Sequence, residues 1–127
     1  MTDFSFPDLR VLVAEDSAPV RLVLKTYLGK LGIRPSFAED GREALSLLSE
    51  KHFDMAFMDV HMPEMDGTEV VTEIRKKGMK IPVIAMTTGD NPNLLTHCLE
   101  CGYNGILLKP IMKEDVFRKV KEFLPTV

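Results

Sequence analysis

Short runs of aliphatic and β-branched residues alternate with longer amphipathic stretches five times along this chain of 127 residues. This alternation is typical of a parallel β-sheet that is covered by helices on both faces. The five runs that we interpret as strands are residues 9–14, 33–38, 54–58, 81–86 and 105–108. The chain is therefore expected to form an α/β domain with five parallel strands, each followed by a helix.

Two of the predicted strands are apolar at consecutive positions rather than at alternate ones. Residues 11–14 read Val-Leu-Val-Ala and residues 83–86 read Val-Ile-Ala-Met, which is the pattern of strands that are buried on both faces. We place them in the interior of the sheet. Right-handed crossovers then favour the doubly wound, flavodoxin-like strand order 2-1-3-4-5, in which a ligand binds at the carboxyl ends of strands 1 and 3.

Helical periodicity follows the predicted strands. The first helix ends at Gly32, and the fourth begins at Asn91 and Pro92, where asparagine can cap the helix and proline fits its first position. No linker, repeat or low-complexity segment interrupts the pattern. We therefore assign residues 9–127 to one domain and residues 1–8 to a short N-terminal tail.

The composition argues against several classes of partner. The chain has 19 acidic and 16 basic residues spread along its length, and its net charge is -3. Because it has no basic stripe that could follow a phosphate backbone, direct nucleic-acid binding is not expected. No apolar run approaches the roughly 20 residues that cross a bilayer, and residues 1–8 lack the pattern of a secretory signal. A cytoplasmic protein without membrane insertion is expected.

Acidic residues follow strands 1 and 3 of the predicted sheet. Glu15 and Asp16 come directly after strand 1, and Asp59 comes directly after strand 3. The strand order brings these carboxylates to one crevice, where they would repel one another strongly without a cation. Magnesium suits such a site because it takes few carboxylates and keeps several waters. On its own, the Glu15-Asp16 pair is equally compatible with a solvated strand end and a helix cap.

The ends of the other strands carry groups that suit phosphoryl transfer. Asp59 can act as a nucleophile toward phosphorus and form an acyl phosphate. Lys109, at the end of strand 5, can supply a cation, and Thr87, at the end of strand 4, can supply a hydroxyl. Each of these residues is ordinary in a loop when it is seen alone. Their meeting at one edge of the sheet indicates a phosphoryl-transfer site.

Three segments of the chain resemble the receiver domains of bacterial two-component response regulators, for which the single-domain chemotaxis regulators are a model. The segments are Val-Ala-Glu-Asp-Ser at 13–17, Met-Asp-Val-His-Met-Pro-Glu-Met-Asp-Gly at 58–67 and Leu-Leu-Lys-Pro at 107–110. The resemblance covers residues 9–124, and the middle segment is highly specific. It implies a signalling module of a phosphorelay rather than an enzyme.

The resemblance assigns roles to the residues of the acidic crevice. It implies that Asp59 accepts a phosphoryl group from a phosphohistidine. It also implies that Glu15, Asp16 and Asp59 bind Mg²⁺ together with the backbone carbonyl of His61, whose side chain points away from the metal. The expected partners are a sensor histidine kinase or a histidine phosphotransfer protein, which donates the group, and a downstream effector protein.

The resemblance also concerns the segment around the lysine. It implies that Thr87 and Lys109 hold the phosphoryl oxygens and that the peptide bond between Lys109 and Pro110 is cis. Receivers usually carry Tyr or Phe three residues before the lysine, and this chain has Ile106 there. Isoleucine is stiff at its first torsion and has no hydroxyl, so the usual aromatic readout is not expected. We interpret the nearby Tyr103 as a packing residue.

Three alternative functions share features of this sequence with the signalling module. An aspartate-nucleophile phosphohydrolase usually has a second aspartate two residues after the nucleophile, where this chain has His61, and no cap domain is inserted. A flavodoxin-like electron carrier needs a phosphate loop after strand 1, where Glu15 and Asp16 would repel a flavin phosphate. The third alternative is the receiver module of a hybrid histidine kinase, which shares the phosphoacceptor chemistry.

The two cysteines form a C-x-x-C motif, because Cys98 and Cys101 lie three residues apart near the end of the fourth predicted helix. A redox pair normally opens a helix, and a structural zinc site needs two further ligands at matching spacing. His97 is the neighbouring candidate ligand. We therefore predict semi-buried, reduced thiols, since free cysteine often behaves as a small hydrophobic residue.

Overall fold

The computed structural model describes residues 9–89 and 92–124, in which five parallel strands alternate with five helices. The elements are, in chain order, β1 Val11–Ala14, α1 Ala18–Gly29, β2 Ser36–Ala38, α2 Gly41–Glu50, β3 Met55–Asp59, α3 Gly67–Lys76, β4 Val83–Thr87, α4 Pro92–Cys101, β5 Gly105–Leu108 and α5 Lys113–Phe123. The strand order is β2-β1-β3-β4-β5, which confirms the doubly wound fold. The predicted tail, residues 1–8, lies outside the described residues.

The strand boundaries differ from the predicted ones by a few residues. Strand β2 begins at Ser36 rather than at residue 33, because Pro35 has no N–H to donate to the sheet. Strands β3 and β4 each extend one residue further than predicted, to Asp59 and Thr87. In the register of the sheet Asp59 is opposite Met86, so the side chain at the end of β3 is held by strand pairing rather than by a loop.

Each face of the sheet has its own apolar core. Met55 and Phe57 of β3 pack toward α1 and α5, whereas Ala56 and Met58 pack toward α2, α3 and α4. Strands β1, β3 and β4 are buried along their whole length, whereas the edge strand β2 is exposed at Ser36. The prediction that the consecutively apolar strands β1 and β4 lie inside the sheet is confirmed.

The ends of the helices follow local sequence signals. Gly32, Gly78 and Gly102 have positive φ angles just after α1, α3 and α4, a conformation that glycine adopts without steric cost. Helix α4 begins at Pro92, as expected, while the predicted cap Asn91 lies outside the described residues. Within the described part of the chain, none of the helices is long and apolar enough to cross a membrane.

Candidate functional site

The carboxyl ends of the strands gather the buried polar groups of the protein at one edge of the sheet. Among the described residues, the buried polar or charged side chains are Glu15, Asp59 and Thr87. Glu15 directly follows β1, Asp59 ends β3 and Thr87 ends β4. A buried charge is costly unless it is paired, so this concentration at one edge indicates a functional site. We call this site the acidic notch; it comprises Glu15, Asp16, Asp59, Thr87 and Lys109.

Lys109 is the cation of the acidic notch. Its Nζ atom donates a hydrogen bond to Asp59 Oδ2 at 2.9 Å and lies 2.7 Å from Glu15 Oε1. The contact with Glu15 is an ion pair, although Oε1 has no partner in hydrogen-bonding geometry. The lysine side chain is only 18% exposed. One ammonium group therefore bridges two carboxylates that come from the ends of different strands, β1 and β3.

The two ends of this ion pair have shifted pKa values. Burial raises the pKa of Glu15, and the charge of Asp59 acts in the same direction, while Lys109 and the main-chain N–H of Ser17 act against it. Burial alone would lower the pKa of Lys109, but its contacts with Glu15 and Asp59 outweigh burial and raise it. The lysine thus stays charged, while burial disfavours the ionised form of Glu15 despite the neighbouring ammonium group.

The carboxylates of the acidic notch have the arrangement of a cation site. Oxygen atoms of Glu15, Asp16 and Asp59 all lie within 4.8 Å of one another. Asp16 is exposed to solvent, so an ion that keeps several waters has access. Glu15 and Asp59 are both buried and share the single ammonium group of Lys109, so a bound cation would add positive charge that the carboxylates lack. The residues therefore fit a hard divalent cation such as Mg²⁺.

The loop after β3 runs beside the Asp59 carboxylate. The main-chain N–H of His61 donates to Asp59 Oδ1 at 3.2 Å, and the His61 side chain is exposed. The backbone of His61 is therefore at the acidic notch, as the resemblance implies. A metal contact of its carbonyl oxygen stays a prediction.

Thr87 and Lys109 are connected through the backbone of adjacent strands. The Thr87 carbonyl oxygen accepts from the Lys109 main-chain N–H at 2.8 Å, so the two residues keep a fixed spacing. Thr87 Oγ1 accepts from the main-chain N–H of Gly89 at 3.1 Å, which leaves the hydroxyl hydrogen available as a donor. The Lys109-Pro110 peptide bond is cis, as expected.

Ile106, which departs from the usual receiver pattern, and the nearby Tyr103 pack on the same face of the sheet. Ile106 of β5 is half-buried and packs against the core on the side of α2, α3 and α4. Tyr103 is only 3% exposed and belongs to the same core, which confirms its packing role. Its hydroxyl has no hydrogen-bond partner among the described residues, and burial raises the pKa of Tyr103.

Sequence reasoning missed one residue that shapes the acidic notch. The Arg21 guanidinium of α1 donates from Nη1 to the main-chain oxygen of Glu15 at 2.8 Å, which holds the turn between β1 and α1. An arginine on the first turns of a helix carries no specific signal by itself. Its function depends on a contact across six positions, which becomes visible only once the turn is formed.

The chain matches the family model described as "Response regulator receiver domain" over residues 11–121. Among curated proteins, it is 38% identical over 104 residues to the sensor histidine kinase RcsC of Escherichia coli K12. The match covers 82% of this chain but 11% of that kinase. The chain thus spans about a tenth of the length of this relative.

Two solved structures have the same fold. One is the receiver domain of a sensor histidine kinase of Pseudomonas aeruginosa PAO1, which has a magnesium ion coordinated in its active-site cleft. It is 28% identical with a TM-score of 0.83, and the match covers 91% of this chain and 96% of that one. The other is the receiver domain of the Saccharomyces cerevisiae response regulator Ssk1, solved with the histidine phosphotransfer protein Ypd1. It is 26% identical with a TM-score of 0.86, and 93% of this chain and 90% of that chain are covered.

Proposed function

The chain belongs to the family of response regulator receiver domains and has their phosphoacceptor signalling function, and from this premise we propose that Asp59 is its phosphoacceptor. The observation that carries the proposal is the position of Asp59: a carboxylate at the end of a central strand, 6% exposed and 2.9 Å from Lys109 Nζ. The cation of Lys109 holds the carboxylate in place beside the exposed residue Asp16, and we propose that a phosphoryl donor approaches from that side.

The proposed reaction is transfer of a phosphoryl group from a phosphohistidine to Asp59. A carboxylate oxygen attacks phosphorus, the P–N bond breaks, and its electron pair returns to the imidazole of the donor. Lys109 gives up its hydrogen bond to the carboxylate and binds a phosphoryl oxygen. The hydroxyl hydrogen of Thr87 donates to another. The product is an acyl phosphate that keeps the lysine and the threonine engaged.

We propose that Glu15, Asp16 and Asp59, with the backbone carbonyl of His61, hold Mg²⁺ in the acidic notch. When it is bound, the ion neutralises charge on the phosphoryl oxygens, which is the main requirement of this reaction. Two features of this chain support the assignment: the clustering of the three carboxylates and the pairing of two buried carboxylates, Glu15 and Asp59, with the one ammonium group of Lys109.

The proposed partners follow from the chemistry of the site. The donor is a sensor histidine kinase or a histidine phosphotransfer protein, and a downstream effector protein reads the phosphorylated form. We propose a signalling module without an enzymatic activity of its own on other substrates, located in the cytoplasm, with neither direct nucleic-acid binding nor membrane insertion. Its similarity to a segment of a sensor histidine kinase supports a receiver module of a hybrid kinase as the second candidate.

Intact-protein mass spectrometry after incubation with a small phosphodonor and Mg²⁺ tests the assignment of Asp59. The wild type should gain the mass of one phosphoryl group, and Asp59→Asn should gain none. Asp115→Asn is a matched control, because Asp115 forms an exposed ion pair with Arg118 on α5, and it should be phosphorylated like the wild type. An equal adduct in Asp59→Asn would remove Asp59 from its proposed role.

A further inference from the structure

A groove of about 290 Å³ lies between α3 and α4, and it shares no residue with the acidic notch. The residues of the groove that carry metal-binding atoms are Met65, Glu69, Glu73, His97 and Cys101. We call it the α3–α4 groove. No lysine or arginine lines it within the described part of the chain, so its titratable groups are two carboxylates, an imidazole and a thiol. This composition favours a cation.

The C-x-x-C motif does not act as a pair in the folded protein. Cys98 is fully buried in the core, whereas Cys101 is partly exposed and lines the α3–α4 groove. His97 precedes Cys101 by four residues and therefore lies on the same face of α4. The Cys101 Sγ atom is 3.5 Å from His97 Nε2 and 3.9 Å from Nδ1. The accessible pair is thus H-x-x-x-C rather than C-x-x-C.

The spacing of this pair matches two corners of a zinc tetrahedron. With Zn–S of about 2.3 Å, Zn–N of about 2.0–2.1 Å and a tetrahedral angle at the metal, the sulfur and nitrogen ligands are about 3.5–3.6 Å apart. The Sγ to Nε2 distance of 3.5 Å falls on this value. Because Sγ lies at comparable distances from both ring nitrogens, the imidazole must also reorient for a nitrogen lone pair to point at a shared ion, and the short distance shows that the two ligands are within reach of one another.

We propose that His97 and Cys101 bind a zinc ion in the α3–α4 groove, with the carboxylate of Glu73 as third ligand and water as fourth. Glu69 is less suited, because its Oε1 atom accepts from the main-chain N–H of Asp66 at the start of α3. Among the described residues, the Glu73 side chain is paired with Lys76 in an exposed ion pair of 3.5 Å, and such pairs contribute little stability.

Zinc binding requires Glu73 to move and Cys101 to lose a proton. Among the described residues, the three potential ligands whose atoms already lie within 4.8 Å of one another are the carboxylates of the acidic notch. Glu73, His97 and Cys101 are not yet that close, so the Glu73 carboxylate must turn toward the other two. The thiol proton is released to solvent, since the thiolate is the ligand. The ion then connects α3 to α4 and stabilises the folded state that binds it.

Cobalt(II) titration of the reduced protein, with Mg²⁺ in excess to occupy the acidic notch, tests this proposal. We expect a thiolate-to-cobalt charge-transfer band at one equivalent, which zinc then displaces. Cys101→Ser and His97→Gln should each abolish the band or require far more metal to reach it. Glu73→Gln should weaken binding by about tenfold or more, the lower range seen when supporting groups of metal sites are lost.

Control variants identify which thiol and which carboxylate take part. Cys98→Ala should keep the band, because Cys98 is buried away from the groove. Glu100→Gln changes an exposed carboxylate of the same helix that does not line the groove, and it should keep wild-type affinity. Two outcomes would overturn the proposal. One is a wild type without a thiolate band, which would mean that Cys101 and His97 form a simple S–H···N contact; the other is a wild-type band in Cys101→Ser and His97→Gln. These outcomes leave the role of Asp59 untouched.

Discussion

Gly67 allows the start of α3 to lie directly against the main chain of Asp59. It begins α3, and its main-chain N–H donates to the Val60 carbonyl at 2.9 Å. A Cβ atom at this position would collide with the carbonyl oxygen of Asp59 and with the hydroxyl of Tyr103. The φ angle of Gly67 is not positive, so its backbone conformation does not require glycine. The close approach of α3 to the end of β3 does.

We expect Gly67→Ala to destabilise the protein by about 1–3 kcal/mol, the usual cost of overpacking a well-packed site. The Asp59 carbonyl belongs to a central strand and cannot yield as a flexible side chain could. Urea unfolding followed by circular dichroism measures the change. To make room for the added methyl group, the end of β3 must move, and this displacement of Asp59 should slow its phosphorylation by a small phosphodonor.

Gly29→Ala is the matched control for this substitution. Gly29 is the last residue of α1, is exposed, and has nothing within 4 Å of the position of an added Cβ. Alanine is favoured over glycine in helices by up to about 1 kcal/mol, so the variant should be as stable as the wild type or more stable. If both alanine variants behaved alike, the close approach at Gly67 would not govern stability.

Arg75 connects three elements on the side of the sheet that carries α3 and α4. From the end of α3, its guanidinium donates to the Gly102 carbonyl at 2.8 and 3.1 Å and to the Met79 carbonyl at 2.9 Å. It also donates to Asn104 Oδ1 at 2.8 Å, and this amide oxygen accepts from the Val83 main-chain N–H of β4. One side chain thus fixes the turn between α4 and β5.

Arg75→Met should cost about 1.5–3 kcal/mol of unfolding free energy, the range of a hydrogen bond to a charged group. The methionine retains much of the apolar stem but leaves the Gly102 carbonyl without its donor. The adjacent Lys76→Met removes only an exposed ion pair with Glu73 and should change stability by less than about 0.5 kcal/mol. Chemical denaturation of both variants gives the comparison, and equal midpoints would contradict the role of Arg75.

The elements differ in how far the sequence predicts them. Strands β1 and β4 are recognisable in the sequence because their consecutive apolar residues pack into the cores on both faces of the sheet. Strand β2 starts at Ser36 and not at residue 33, although Pro35 is visible in the sequence and marks the boundary once its missing N–H is considered. The Arg75 contacts were not predictable, since they join residues 27 and 29 positions away and no local pattern encodes them.

At the scale of the whole molecule, the acidic notch was predictable because topology brings strand ends together. Glu15, Asp59, Thr87 and Lys109 each follow or end a parallel strand, so the strand order alone places them at one edge. The α3–α4 groove is different. The sequence offers His97 as a candidate ligand beside the C-x-x-C motif, but the packed helix is needed to show that His97 contacts Cys101 while Cys98 is buried in the core.

The charge distribution of the acidic notch predicts how stability varies with pH in the metal-free protein. Glu15 has a folded pKa above its ordinary value of 4.5, so the folded state binds a proton that the unfolded state has lost. The contribution of Glu15 to stability is therefore greatest below pH 4.5 and declines as pH rises through the folded pKa. Lys109 adds nothing to this slope, because its raised pKa starts from 10.5 and its contribution is lost only at higher pH.

Glu15→Gln isolates this effect, because glutamine does not titrate. Without metal, the unfolding free energy of the wild type relative to Glu15→Gln should fall as the pH increases from about 4 to about 8. Urea unfolding at steps of about one pH unit measures this difference. With Mg²⁺ at about a hundred times its dissociation constant, the wild type should gain about 2.7 kcal/mol at the upper end of this range. Ionised Glu15 then binds the metal ion in addition to Lys109, so the deficit of the wild type shrinks or reverses. If the difference in unfolding free energy between the two proteins were independent of both pH and Mg²⁺, burial would not raise the pKa of Glu15 and Glu15 would not belong to the cation site.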